Sequence, residues 1–248
     1  MKLGAVLTAV NENIKYWRFV PLFIACWKKF FPDIEIVIVY IGIELPEELL
    51  PYKQYIRRFV PAIPDISTAY MSQIIRLAYP ALLETTDGVL ITDIDMIPMN
   101  SWFYSNALRE ISEEKIVSMR PRANEKEYYM CYIVATPKTW GSTFDIKNLD
   151  DVYSFLIKNY NLKYEDRYAG EGWTTDQEVL AARLDALPAN TLEVLKDEET
   201  GYNRFEEYLD DIKILLMGIY DGRYSDCHMA AAQNGWYLED IEDLSKNL

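Results

Sequence analysis

The 248-residue sequence predicts an α/β fold, a central mixed, mostly parallel sheet flanked by helices. Two observations carry that prediction. Short β-branched or apolar runs alternate with longer segments whose apolar residues recur every three or four positions. The third buried run then ends on a pair of carboxylates, at the kind of strand end where open α/β sheets bind their ligands.

The elements follow in order. Leu3–Val10 is a compact apolar run closed by Asn11-Glu12-Asn13, as a buried first strand would be. Ile14, Trp17, Val20, Ile24, Trp27 and Phe31 recur with the step of a core-facing helix, which Pro21 should kink or start late. Glu35–Ile41 (EIVIVYI) is rich in β-branched residues and reads as the second strand. A turn-rich acidic stretch around Pro46 and Pro51 leads to a weaker strand at Tyr55–Val60, then a helix over Ser67–Leu83. Thr85-Thr86-Asp87-Gly88 breaks the helix, and Val89–Ile91 begins another buried strand. Beyond it, Lys115–Met119 and Met130–Thr136 read as strands, and Asp150–Asn159 and Asp176–Leu184 as helices. Asn203–Met217 is helical or mixed, and the stretch after Gly222 is mostly loop with aromatics. No repeat, low-complexity tract or linker intervenes, so residues 1–248 are read as one domain.

Composition narrows the function. The formal charge is −14, which disfavours nucleic acid as a partner, because phosphate polymers are bound by clustered Lys and Arg. An acidic chain that handles a pyrophosphate needs a compensating cation, and a divalent metal binds carboxylate and phosphate oxygens together. Cys26, Cys131 and Cys227 lack the spacing of a zinc site or a disulfide scaffold, so reduced thiols and a cytoplasmic setting are expected. The apolar run at Met1–Val10 is too short for a signal peptide or a membrane span.

Asp93-Ile94-Asp95 is the candidate site. Asp is abundant enough here that chance supplies about one Asp-x-Asp string, so the string alone has no weight. Its context supplies the weight. It follows the apolar GVLIT run, and continuation of a strand would put both carboxylates on one face with Ile94 on the other. Two hard oxygen ligands so placed suit Mg or Mn. The competing reading is a solvated acidic turn, against which the apolar Met96-Ile97-Pro98 exit argues.

Gly88–Pro98 (GVLITDIDMIP) resembles the strand-plus-DxD segment of GT-A glycosyltransferases, enzymes with a single Rossmann-like domain that use nucleotide-diphosphate sugars. Other segments fall in that family's order. Leu3–Asn11 resembles the first strand, whose end contacts base and ribose, which implies donor contacts from Thr8, Ala9, Val10 and Asn11. Ser72 to Arg76, on the helix before the DxD strand, matches the place where members meet the nucleotide or donor, with Ser72 and Arg76 the implied contacts. Trp173–Leu180 (WTTDQEVL) resembles the later Asp-Gln segment near the donor sugar, with Trp173 at its head. His228 sits where several members place a C-terminal histidine on the metal, although the Gly and Lys that follow it in glycogenin-like members are missing. In size the chain is similar to small virus-encoded members, which would imply a host cytoplasm.

The resemblance implies a transfer of a hexose from UDP- or GDP-hexose to a glycan or other hydroxyl acceptor. It makes residues 1–100 the nucleotide-binding half and 101–248 the acceptor-binding half. The implied metal set is Asp93, Asp95 and His228, with Asp95 the direct ligand and Asp93, with Ile94 between them, lying against the ribose or reaching the metal through water. Asp176 and Gln177 are the implied catalytic pair. In an inverting enzyme Asp176 takes the acceptor hydroxyl's proton; in a retaining one the pair holds the donor sugar and steadies a cationic transition state. Arg76, Arg120, Arg122 and Arg223 are candidates for phosphate through their planar forks, with Arg122 in an expected flexible loop. Trp140, Trp173 and Trp236 are candidates for stacking on sugar faces. Asp176 also reads as a helix cap, and the tryptophans as core.

Two further readings compete. A haloacid-dehalogenase-like phosphatase also uses paired aspartates after a strand, but wants them near the first strand and wants Thr or Val where Ile97 stands. A non-catalytic nucleotide-sugar binding module would keep the fold without the chemistry.

Overall fold

The computed structural model describes residues 1–61, 65–167, 169–205 and 212–229. The first half runs β1 (Leu3–Asn11), α1 (Ile14–Trp17), α2 (Val20–Phe30), β2 (Glu35–Ile41), β3 (Ile56–Phe59), α3 (Thr68–Ala78) and β4 (Gly88–Ile91). There follow β5 (Met96–Pro98), α4 (Trp102–Leu108), β6 (Ile116–Ser118), β7 (Arg122–Asn124), β8 (Glu127–Tyr128), β9 (Ile133–Ala135), α5 (Pro137–Phe144) and α6 (Leu149–Lys158). The remaining elements are α7 (Thr175–Asp185), β10 (Leu192–Val194), α8 (Asp197–Thr200), β11 (Arg204–Phe205), α9 (Ile212–Asp221) and β12 (Asp226–His228).

Seven strands form the main sheet in the order β10-β6-β9-β4-β1-β2-β3. All its neighbours pair in parallel except β9, which runs antiparallel between β4 and β6. The sheet is therefore mixed and mostly parallel. The period of two sorts its residues onto two faces. Val6, Val10, Ile36, Ile38, Tyr40 and Leu90 pack with α2 and α4; Ala5, Leu7, Val37, Val39, Val89 and Ile91 pack with α3, α5, α6 and α7. Because both faces are covered by helices, β1, β2 and β4 are near-continuous apolar runs rather than alternating ones.

Local chemistry sets the element ends. Pro21 falls in the first turn of α2, where its missing N–H costs nothing, so the periodic segment from Ile14 divides into two helices rather than one kinked one. The helix expected over Ser67–Leu83 is α-helical only to Ala78; Pro80 then leaves a 3-10 turn over Tyr79–Leu82. Met130–Tyr132 likewise forms a 3-10 turn ahead of β9, where a strand was expected. The stretch expected as loop after Gly222 contains β12, and β11 opens the segment expected to be helical or mixed. The expected flexible loop around Arg122 is the β7–β8 hairpin.

Trp27 anchors the α2 face. It is almost fully buried and meets Phe23, Phe31 and Tyr104 with ring centroids 6.1, 5.5 and 5.1 Å away. Trp27→Ala should cost about 3–5 kcal/mol in urea denaturation; a loss under ~1 kcal/mol would mean this face repacks freely.

Strand order reverses at β1, with β2 and β3 on one side and β4 on the other. Leu7 pairs with Ile91, so β1 continues through Thr8–Asn11 with no β4 beside it, while the Thr92 amide still donates to the Leu7 carbonyl at 3.0 Å. The crevice beyond these strand ends is where doubly wound sheets hold ligands. No helix among the described residues is long and apolar enough to cross a membrane.

Candidate active site

A cleft of about 280 Å³ opens at this switch point. Its floor is Ala9 and Val10 from β1, and one wall is Ala69, Ser72, Gln73 and Arg76 from α3. Asp93, Ile94, Asp95 and Met130 line it from the turns after β4 and before β9; Trp173, Asp176 and Gln177 come from the start of α7 and the loop before it. Tyr16, Tyr164, Asp166 and His228 complete the lining.

The carboxylate pair is not the end of a strand. The chain leaves the sheet at Ile91 and turns through Thr92–Asp95 into β5, which joins a second, three-stranded sheet in the order β11-β12-β5. The expected alternation therefore does not hold: Ile94 is buried, and both carboxylates are aimed by partners instead. In the second sheet His228 lies opposite Met96, and the Met229 amide donates to the Asp95 carbonyl at 2.9 Å. That register brings the imidazole Nε2 to 3.4 Å from Asp95 Oδ2. Ligand atoms of Asp93, Asp95 and His228 all lie within 4.8 Å of one another.

Arg76 is the hub of the cleft. Its guanidinium is buried, with Nη1 on Asp93 Oδ1 and Nη2 3.0 Å from Asp176 Oδ2, while Nε donates to the Gln73 carbonyl at 3.2 Å. The side chain predicted for phosphate is thus already shared between two carboxylates. The Cys131 thiol donates to the other oxygen of Asp93 at 2.7 Å. Burial pushes the Asp93 carboxyl up, but Arg76, the Cys131 hydrogen bond and His228 together outweigh it and hold the group below the ordinary range. Asp176 has the opposite outcome. Burial raises it to about 6; Arg76 opposes the shift, and Asp93 adds to it. Two carboxylates on one arginine are thereby set apart, one held ionised and one poised near neutrality. For His228, burial disfavours the charged ring, yet the hydrogen bond to and charge of Asp95, with Asp93 behind, raise it overall.

The donor set of two carboxylates and one imidazole fits Mn or Mg, which take a few protein ligands and fill the remaining positions with water or phosphate oxygen.

Of the residues singled out in the sequence, Ala9, Val10, Ser72, Arg76, Asp93, Ile94, Asp95, Trp173, Asp176, Gln177 and His228 all meet in the cleft. Thr8 and Asn11 do not line it: Thr8 is fully buried, and Asn11 Nδ2 donates to Thr68 Oγ1 at 3.3 Å. Arg120 is engaged elsewhere, forked onto Asp197 at 3.0 and 2.8 Å and stacked on Tyr202. Arg122 pairs with Asp185, and Arg223 with Asp221, both away from the cleft. Trp140 is core, stacked on Phe144 with its Nε1 on the Val89 carbonyl, and Trp236 lies outside the described residues.

Sequence reasoning missed Tyr16, Cys131, Tyr164 and Asp166. Gln73, beside Ser72 on α3, accepts from the Tyr164 hydroxyl at 3.1 Å. A loop holding Gly170 and Gly172 ahead of the Asp-Gln segment was the available signal for Tyr164 and Asp166. Gly172 sits at φ +75°, a conformation that lets the chain turn into Trp173 and α7.

No protein-family profile matches the chain, and no curated protein sequence does. Solved structures do. The galactosyltransferase LgtC, in complex with donor and acceptor sugar analogues, superposes with a TM-score of 0.50 at 14% identity, over 98% of this chain and 96% of LgtC. An active-site mutant of LgtC gives 0.50 at 13%. The glycosyltransferase GlyE of Streptococcus pneumoniae gives 0.51 at 14%, over 99% of this chain, which spans 60% of GlyE. At such identities the likeness is one of fold, and the chain has the GT-A fold.

Proposed function

We propose that this GT-A-fold chain is a metal-dependent hexosyltransferase, moving a hexose from a UDP- or GDP-hexose to a glycan or other hydroxyl acceptor. The observation that carries the reading is the convergence of Asp93, Asp95 and His228 within 4.8 Å, in a cleft at the sheet's switch point. Charge supports it. The cleft presents four carboxylates, Asp93, Asp95, Asp166 and Asp176, against Arg76 and His228, and Arg76 is already bound to two of them. A diphosphate entering such a cleft is repelled unless a divalent cation enters with it.

The cation would be held by Asp95 and His228, with Asp93 beside them, and would neutralise the charge that develops on the departing nucleoside diphosphate. The chain's own residues do the rest. Arg76 orients Asp93 and Asp176 together. Ala9 and Val10 offer the backbone at the end of β1 to the nucleotide. Asp176 and Gln177 face the sugar: Asp176 accepts the acceptor's proton if configuration inverts, or holds the donor if it is retained. Tyr16, Tyr164 and Trp173 at the rim suit stacking on a sugar face. The same four carboxylates disfavour an anionic acceptor. On this reading residues 1–100 bind the nucleotide and 101–248 bind the acceptor.

Release of free nucleoside diphosphate from a UDP- or GDP-hexose, in the presence of manganese, tests the proposal. Tight donor binding with no release in any acceptor mixture would leave a binding module instead. His228→Ala should weaken manganese affinity by ~10-fold or more. An unaltered manganese titration would make the histidine structural.

A further inference from the structure

Behind the cleft lies a buried polar cluster that the proposed chemistry does not use. Asp226 is completely buried on β12, directly across the ladder from Arg204 on β11. Arg204 Nε donates to Asp226 Oδ1 at 2.9 Å, and the Tyr132 hydroxyl donates to Asp226 Oδ2 at 2.6 Å. Arg204 Nη2 donates in turn to the Tyr132 oxygen at 2.5 Å, and Tyr132 and Tyr202 share a hydrogen bond at 3.3 Å. Both oxygens of a fully buried carboxylate are thus satisfied, one by the turn that precedes β9 and one by β11.

A buried charge is costly unless paired and hydrogen-bonded, and an apolar residue at 226 would serve packing as well. What the cluster adds is direction. Asp226 and His228 are two residues apart on β12, so their side chains leave the same face of a three-residue strand. Fixing one fixes the rotation of the strand, and with it where the imidazole points. The backbone around β12 is tied down at both ends: Met99 N donates to the Ser225 carbonyl at 3.0 Å, and Met229 N to the Asp95 carbonyl at 2.9 Å. The cluster supplies the remaining restraint, about the strand's long axis.

We infer that Asp226, Arg204 and Tyr132 are positioning residues, which set the imidazole of His228 against Asp95 so that both can hold one cation. None of the three lines the cleft. The inference rests on the metal reading above and adds to it the residues that keep the histidine in place.

The consequence is selective. Imidazole raises affinity for later first-row metals, whereas magnesium depends on carboxylate and water oxygen. A displaced imidazole should therefore weaken cobalt binding more than magnesium binding, while general loosening of the site weakens both. Tyr132→Phe keeps the ring and its packing and removes only the hydroxyl; Asp226→Asn keeps the shape and removes the charge. Cobalt and magnesium affinities would be measured by titration of both variants, the parent and His228→Ala, with circular dichroism to establish folding. The expected result is a ~10-fold loss for cobalt in both variants, with magnesium changed less than about two-fold. If Asp226→Asn does not fold, Tyr132→Phe alone carries the test. Parent-like cobalt affinity in folded Tyr132→Phe, or equal losses for the two metals, overturns the inference. If His228→Ala itself binds cobalt like the parent, the imidazole is no ligand, and the inference falls with that part of the metal reading while the carboxylate pair is untouched.

Discussion

Asp95→Ala should abolish metal-dependent donor binding while the protein stays folded. Asp95 is buried in the turn between β4 and β5, and the fold uses its backbone: its carbonyl accepts from the Met229 amide at 2.9 Å. The substitution keeps that bond and removes the oxygen nearest the His228 ring. The cost in packing is small because the side chain faces a cleft. On the proposed metal reading the cost in cation affinity exceeds the ~10–100-fold typical of changes around a metal's ligands, because a ligand itself would be lost. Manganese dependence of donor binding that survives in Asp95→Ala would sink the assignment.

The second large effect is expected at Asp176. Asp176→Asn should lower turnover by ~10²–10⁴-fold and leave donor affinity within a few-fold. The substitution keeps an oxygen for the Gln177 amide, now 2.8 Å from Asp176 Oδ1, so the start of α7 is preserved. What disappears is a carboxylate poised near pH 6 by burial, with Arg76 opposing the shift. Ionisation is disfavoured in the fold, so the cost of burying this carboxylate in its charged form grows as pH rises from the unfolded carboxylate range through about 6. Asp176→Asn removes that cost and also breaks one arm of Arg76, so net stability should change little. Normal turnover in the variant would leave Asp176 the role of holding Arg76.

How legible the molecule was depends on how local its determinants are. β1, β2, β4 and the start of α3 were readable because each run is long enough for its period to register, and because buried parallel strands are apolar on both faces. β5, β11 and β12 span two or three residues and carry no period. They exist because they pair across the fold, Met96 with His228 and Arg204 with Asp226. The geometry of Asp93 and Asp95 was misread for the same reason. GVLITDID looks like one continuing strand, but Arg76 on α3 and His228 on β12 draw the carboxylates into a turn. Their meeting in one cleft was foreseeable from the order of segments; which atoms face which was not. Arg76, Arg120 and Arg122 read alike in sequence, yet each is committed to a different acid more than 15 positions away.

A thermal-shift panel of UDP- and GDP-hexoses, with manganese and with a chelator, tests the central claim most directly. A nucleotide sugar that binds only the folded state raises the melting temperature by an amount that grows with the logarithm of its concentration over its Kd. The metal-bridged cleft predicts a rise with manganese for sugars of one base and none with the chelator. A shift that is identical in chelator, or no shift with any nucleotide sugar in manganese, would contradict it.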